Sequence, residues 1–203
     1  MVVSSKVVDI PPFIVMDVLE HAQKMERLEG TKIVHLEVGE PDFETPECII
    51  ESAIKAMRDS QTHYTHSMGL VELREAIVEY YAKTHQVTIS ADQILVTSGT
   101  SPAMLLLFAA LLDGGDEIIL SNPHYACYPN FIKMLGGVPV YVNVYEDNGF
   151  QYTVEGIQAK ITNRTKGIMI NSPSNPTGNL LAPDVMQKMA GLSPPIISDE
   201  IYH

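Results

Sequence analysis

The sequence is short of basic residues, short of cysteine and without a long apolar run, and each shortage removes a class of function. It has 13 Lys and Arg against 25 Asp and Glu, a formal net charge of −12 and a pI near 4.9. A surface this acidic repels phosphate backbones, which argues against nucleic acid and anionic membranes as partners. The longest purely apolar run, Ala103 to Leu112, is ten residues, well below what a bilayer-spanning helix needs. The opening MVVSSKVVDIPPF has no basic segment followed by an apolar stretch, so no secretory signal is expected. Two cysteines, Cys48 and Cys127, cannot build a disulfide framework. A reducing cytoplasm is the expected compartment, with both thiols as buried apolar fillers. There is no Walker A or G-x-G-x-x-G sequence, which disfavours nucleotides. There is no HExxH or CxxC either, so no dedicated metal site is expected.

What remains is ordinary globular material: 203 residues, 45% hydrophobic and 19% charged, enough for one large domain or one domain and a piece of another. The first forty-odd residues differ from the rest. A helix over 15–28 ends at Gly30, and a short apolar stretch runs into the turn-rich GEPDFETPE. Thr45 is the expected N-cap, with Pro46 as first helical residue, of a helix reaching Arg58. A second amphipathic helix is expected over 70–84. From Ile94 the pattern alternates. Short apolar strands at 94–97, 117–120, 138–144, 167–170 and 195–198 are separated by helical stretches at 102–112, 128–135, 154–161 and 183–190. That alternation predicts an α/β fold, a mostly parallel sheet covered by helices on both faces. In such sheets ligands bind beyond the carboxyl ends of the strands, so the residues at those ends carry the functional reading.

The first strand leads into Ser98-Gly99-Thr100-Ser101-Pro102, with Gly99 for a tight turn, Ser101 as N-cap and Pro102 opening the helix. This is either a well-capped turn or a site for an anion such as phosphate. A serine-hydrolase elbow is a remote alternative, because the residue after its nucleophile must donate an N–H to the oxyanion and Pro102 has none. The second strand ends in SNPHYACY, which puts aromatic rings at the same edge. They serve either for packing or to lie on a planar ligand, and His124 is either an acid–base group or a packing residue. The fourth ends in NSPSNPTG, a stiff loop able to aim side-chain amides, with a cis bond an option at Asn175–Pro176. The fifth ends in DEIYH. Asp199 at the mouth of the sheet needs a partner, whether a metal, a proton, a protonated ligand nitrogen or simply a helix terminus. Together these loops would suit an anionic, planar, nitrogen-containing ring.

At this point the residues resemble a known family. GEPDF (39–43), YTHSMGLVELREAI (64–77), VTSGTSPA (96–103), NPHYACYP (122–129), NSPSNPTG (171–178) and SDEIYH (198–203) stand in the order of the class I/II aminotransferases. These are fold-type I enzymes that use pyridoxal 5′-phosphate, and the resemblance runs from about Ile10 to His203, the family's N-terminal half. It implies an arm and small-domain segment over 1–45 and an incomplete large cofactor-binding domain over 46–203. It implies that Gly99, Thr100 and Ser101 hold the cofactor phosphate and that Tyr125 stacks on the pyridine ring. Asn175 would bond the ring's 3′-oxygen and lie near the substrate carboxylate. Asp199 would pair with the ring nitrogen and Tyr202 would donate to the 3′-oxygen. Tyr64 would reach the phosphate of a neighbouring subunit in a homodimer with shared active sites, and Gly39 would lie on a mobile loop over the substrate. The substrates implied are an amino acid and a 2-oxo acid. A β-lyase or synthase of the same fold, or a non-catalytic binding and dimerisation module, are the alternatives. The family's Schiff-base lysine and substrate-carboxylate arginine fall beyond Asp-x-x-Tyr, whereas the lysines here stop at Lys188 and the arginines at Arg164. The chain therefore reads as a fragment that forms no covalent lysine adduct, and its donor amino acid is left open.

Overall fold

A computed structural model describes residues 4–8 and 10–203. Helices α1 (Ser5–Val8), α2 (Ile14–Glu29), α3 (Glu47–Arg58), α4 (Val71–Thr84) and α5 (Thr100–Leu111) come first. There follow β1 (Glu117–Asn122), α6 (Tyr128–Met134), β2 (Val138–Asn143), α7 (Val154–Gln158), β3 (Thr165–Asn171), α8 (Pro183–Ala190) and β4 (Ile196–Asp199). The chain divides into two compact units, one of Met1–Asp17 with Thr100–His203, the other of Val18–Gly99.

The first unit is an α/β layer structure. Its four strands lie in the order β2-β1-β3-β4, and every pairing is parallel. The cause is legible in β1 and β3. Their central residues Ile118, Ile119 and Leu120, and Ile168, Met169 and Ile170, are all buried, as a strand covered on both faces requires. Because side chains alternate across a strand, this one hydrophobic run feeds two cores. Ile118, Leu120 and Met169 pack with Met104, Phe108 and Leu112 from α5 and its end, and with Tyr128 and Ile132 of α6. Ile119, Ile168 and Ile170 pack on the opposite face with Val142, Tyr152, Ile157 of α7 and Met189 of α8. At the amino end of β1, buried Glu117 accepts from Thr162 Oγ1 at 2.5 Å and from Arg164 Nη2 at 3.1 Å. The Thr162 bond holds its carboxyl below the ordinary range, against the opposing effect of burial.

In the second unit, Arg74 of α4 is 4% exposed and donates to the carbonyls of Gly69 (3.3 Å) and Ala91 (2.8 Å), tying two loops to one helix. Gly69 has φ +97°, and a Cβ there would lie 2.6 Å from Val96 Cβ, so both backbone and space require glycine.

Several sequence expectations change. Segment 94–97 is not a strand. Val96 N–H bonds Met68 O, and the segment is not among the paired strands, so a β-prone stretch stays unladdered. The helix expected from Pro102 starts at Thr100, because a proline within the first turn removes only an N–H that has no helical partner. Thr45 does not cap α3: Pro46 is the boundary residue and there is no side-chain cap bond. α7 stops at Gln158, not Ile161, as Lys160 and Ile161 close tighter i→i−3 turns. Cys48 is exposed and Cys127 only half-buried, so neither is a buried filler; α3, which carries Cys48, buries no residue at all. No helix among the described residues is long and apolar enough to cross a membrane.

Candidate functional site

The sheet order places the reversal of chain direction between β1 and β3. From β1 the chain moves outward to β2, then returns to the other side of β1 as β3. Loops leaving β1 and β3 at their carboxyl ends therefore part from each other and open a crevice. A cavity of about 90 Å³ lies there, lined by Thr100, Tyr125, Tyr128, Asn171, Asn175, Asp199, Ile201 and Tyr202. Each comes from the carboxyl end of a strand, the loop after it, or the start of a helix.

Asp199 ends β4 in register with Asn171 of β3. The Asn171 side chain donates to Asp199 O at 3.0 Å and accepts from Asn175 N at 2.7 Å, so one amide joins the two loop roots. The Asp199 carboxylate is buried. Its Oδ2 accepts from Tyr128 Oη at 2.7 Å and its Oδ1 from Ile201 N at 3.1 Å. Both donors are neutral, and every lysine and arginine ion pair among the described residues is with another acid. No cationic side chain among the described residues is paired with this buried carboxylate, so a cationic ligand group would be its natural counter-charge.

Tyr125 stands half-buried on the wall. Its ring makes T-shaped contacts with Tyr128 at 5.3 Å and 76° and with Phe13 at 6.1 Å and 81°, which restrain its plane. Its phenol is pushed up to about 12, first by a hydrogen bond with the Cys127 side chain and then by burial. Tyr128 is driven far above the ordinary phenol range by burial and by its bond to Asp199. Asn175 Nδ2 donates to Tyr202 Oη at 2.9 Å, so two groups 27 residues apart converge on one point. The Asn175–Pro176 bond is cis, as are Asn122–Pro123 and Ser172–Pro173.

The anion end is the start of α5. Gly99 has φ +97°, which a side chain would strain, and Thr97 Oγ1 donates to its carbonyl at 2.7 Å. The N–H groups of Thr100 and Ser101 precede the first helical hydrogen bond and are open to an anion. Thr100 lines the cavity; Ser101, exposed, and Gly99 do not.

Six of the residues singled out from the sequence thus find their places in or beside this crevice: Thr100, Ser101, Tyr125, Asn175, Asp199 and Tyr202. Tyr64, fully exposed, and Gly39, also exposed, belong to the second unit, as does Gly99. His124 is a packing residue: it stacks on Tyr141 at 5.2 Å, bonds Ser121 O at 3.0 Å, and burial lowers its basicity. Sequence reading missed Tyr128, Asn171 and Ile201 as lining residues. Tyr128 had one usable signal, since it lies three residues after Tyr125 where the loop turns into α6. Lys166 pairs with Asp116 and Lys188 with Asp184, both at 3.5 Å, and no lysine lines the cavity. Among the described residues no group of three or more His, Cys, Asp or Glu is placed to hold a metal.

Chemically, the crevice offers a helix start, an aromatic ring, a buried carboxylate and an amide hydrogen-bonded to a phenol. That set fits a flat ring bearing a phosphate, a basic nitrogen and a ring oxygen. Known proteins agree. A family model described as aminotransferase class I and II matches residues 31–203. A (5-formylfuran-3-yl)methyl phosphate transaminase of Methanocaldococcus jannaschii is 42% identical over 98% of this chain and 52% of its own length. An aspartate aminotransferase of Geobacillus stearothermophilus is 38% identical over 100% of this chain and 52% of its own. The solved structure of the Thermus thermophilus aspartate aminotransferase with maleate superposes with a TM-score of 0.94 at 35% identity, covering 99% of this chain and 53% of that one. The chain spans about half the length of the curated relatives it matches.

Proposed function

Since this chain belongs to the class I and II aminotransferases, we propose that the protein moves an amino group between an amino acid and a 2-oxo acid with pyridoxal 5′-phosphate as cofactor. The observation that carries this reading is the convergence of Thr100, Tyr125, Asn175, Asp199 and Tyr202 on one crevice at the carboxyl edge of the sheet. The donor set matches the cofactor group by group. Thr100 and Ser101 N–H groups hold the phosphate, helped by the positive end of α5. Tyr125 lies on the ring. Asn175 and Tyr202 donate to the 3′-oxygen, and Asn175 also faces the substrate carboxylate. The Asp199 carboxylate accepts the N–H of the ring nitrogen and keeps that proton in place.

When bound, the cofactor supplies an electron sink for the pair left as the substrate Cα proton departs. The contribution of this chain is to set a buried carboxylate against the ring nitrogen, where a charge is worth more than in solvent. Tyr125 would lie on one face of the bound ring and so orient it.

The wider reading follows the same lines. Residues 1–45 form an arm and a small-domain segment, with Gly39 on a loop over the substrate, and 46–203 belong to the cofactor-binding domain. The protein acts as a homodimer with shared sites, in which Tyr64 serves the neighbouring phosphate. Its full exposure in a single chain supports this role. A cytoplasmic setting goes with two unpaired cysteines.

The Methanocaldococcus and Geobacillus relatives named above carry different substrates in their names but are both transaminases, so the test is a panel. Amine transfer from a set of amino acids to 2-oxoglutarate is expected. Release of pyruvate from cystathionine without amine transfer would contradict it and favour a β-lyase.

A further inference from the structure

Tyr128 is 4% exposed at the first position of α6, yet its polar atom is fully used: the hydroxyl donates to Asp199 Oδ2 at 2.7 Å, across 71 residues of sequence. The same ring presses edge-on against Tyr125 at 5.3 Å and 76°. One side chain therefore touches both the acid and the aromatic between which a ring would be held. We propose that Tyr128 is a positioning residue for the cofactor site, its hydroxyl aiming the Asp199 carboxylate and its ring setting the plane of Tyr125. The inference rests on the proposed cofactor but concerns a residue outside the set that would touch it.

The geometry makes the role specific. A carboxylate at the end of a strand can rotate about its side-chain bonds. Among the described residues, Asp199 is held at one oxygen by the Ile201 N–H (3.1 Å) and at the other by the Tyr128 hydroxyl (2.7 Å). Burial and the carboxylate keep the Tyr128 phenol protonated, so it is a donor at any working pH. A neutral donor steadies the charge without cancelling it, which a lysine or arginine in the same place would do. The Tyr128 side chain belongs to a packed cluster with Phe108, Ile132 and Met169, which restrains the ring that carries the hydroxyl.

The test is a double-mutant cycle on the full chain, read as the dissociation constant for pyridoxal 5′-phosphate from the change in its visible absorption. Tyr128→Phe keeps the ring and its edge contact and removes only the hydroxyl. It is expected to weaken binding about tenfold, the scale of one hydrogen bond to a charged group. In an Asp199→Asn background the same change is expected to have no further effect, a coupling that a purely structural role would not show. Equal binding by Tyr128→Phe and wild type overturns the inference, and so does an equal loss in both backgrounds. If wild type itself shows no saturable binding, the cofactor assignment fails first and carries this inference with it. Should Tyr128→Phe not fold, the Tyr128 hydroxyl proton in the spectrum of the wild-type protein with bound cofactor decides. It is expected to be protected from exchange in wild type and to lose that protection in Asp199→Asn. An unprotected hydroxyl in wild type overturns the proposal.

Discussion

Asp199 carries the largest single consequence. Asparagine there keeps shape and removes charge, so the nitrogen it faces loses its counter-charge. On the scale of preorganised electrostatic groups in active sites, Asp199→Asn in the whole enzyme should raise the barrier by roughly 3–4 kcal/mol, read as a fall of about 10²–10³ in kcat. Retention of wild-type kcat would remove Asp199 from the mechanism. Tyr152 makes a different prediction, about stability. Its phenol is buried, donates to Met169 O at 3.0 Å and is pushed up to about 12 by burial. A phenol whose folded value lies above its unfolded value near 10 stabilises fully below pH 10, and that contribution is lost as pH rises toward 12. Denaturant midpoints should therefore fall between pH 10 and 12, and Tyr152→Phe should flatten that decline. Asp199, Asn175 and Tyr202 were legible in the sequence because each sits at or just after a strand end, within a recognisable block. Tyr128 was not, because its partner is 71 residues away and only the assembled sheet brings them together.

Among the elements, the parallel strands were legible wherever an apolar run is buried on both sides. Ile118–Leu120 and Ile168–Ile170 are such runs, and the observed strands extend beyond them to the polar residues Asn122 and Asn171, the second of which lines the cavity. Segment 94–97 has the same composition without a ladder, since strand pairing is a long-range property that local β-propensity does not encode. The start of α5 was misplaced by two residues because Ser and Pro mark a helix opening generally, while proline is tolerated anywhere in the first turn. Two substitutions test elements directly. Gly69→Ala places a Cβ 2.6 Å from Val96 Cβ at φ +97°, and should cost about 1–3 kcal/mol by chemical denaturation. Thr153 Oγ1 accepts from Gly156 N at 3.2 Å and caps α7, so Thr153→Ala should cost about 1 kcal/mol. An unchanged midpoint in either variant would contradict the local account.

Across the whole molecule, one four-stranded sheet sorts alternating side chains into two cores and leaves its carboxyl edge free for chemistry. That economy explains why fold and site were read together: the same periodicity that buries the strands dictates which loops share an edge. Neither the two-unit division of the chain nor the exposure of Tyr64 could be read that way, since both depend on surfaces that no local pattern records. The proposed shared sites give a prediction at this scale. Co-expressed Tyr64→Ala and Asp199→Ala subunits, each inactive alone, should regain part of the activity, because a mixed dimer rebuilds one intact site. No recovery would contradict sharing. The central claim is tested most directly by a crystal structure of the protein grown with pyridoxal 5′-phosphate. The account predicts the ring nitrogen about 3 Å from the Asp199 carboxylate, Tyr125 on the ring face and the phosphate on the Thr100 and Ser101 N–H groups. Cofactor density elsewhere, or a ring turned so that its nitrogen faces away from Asp199, would contradict it.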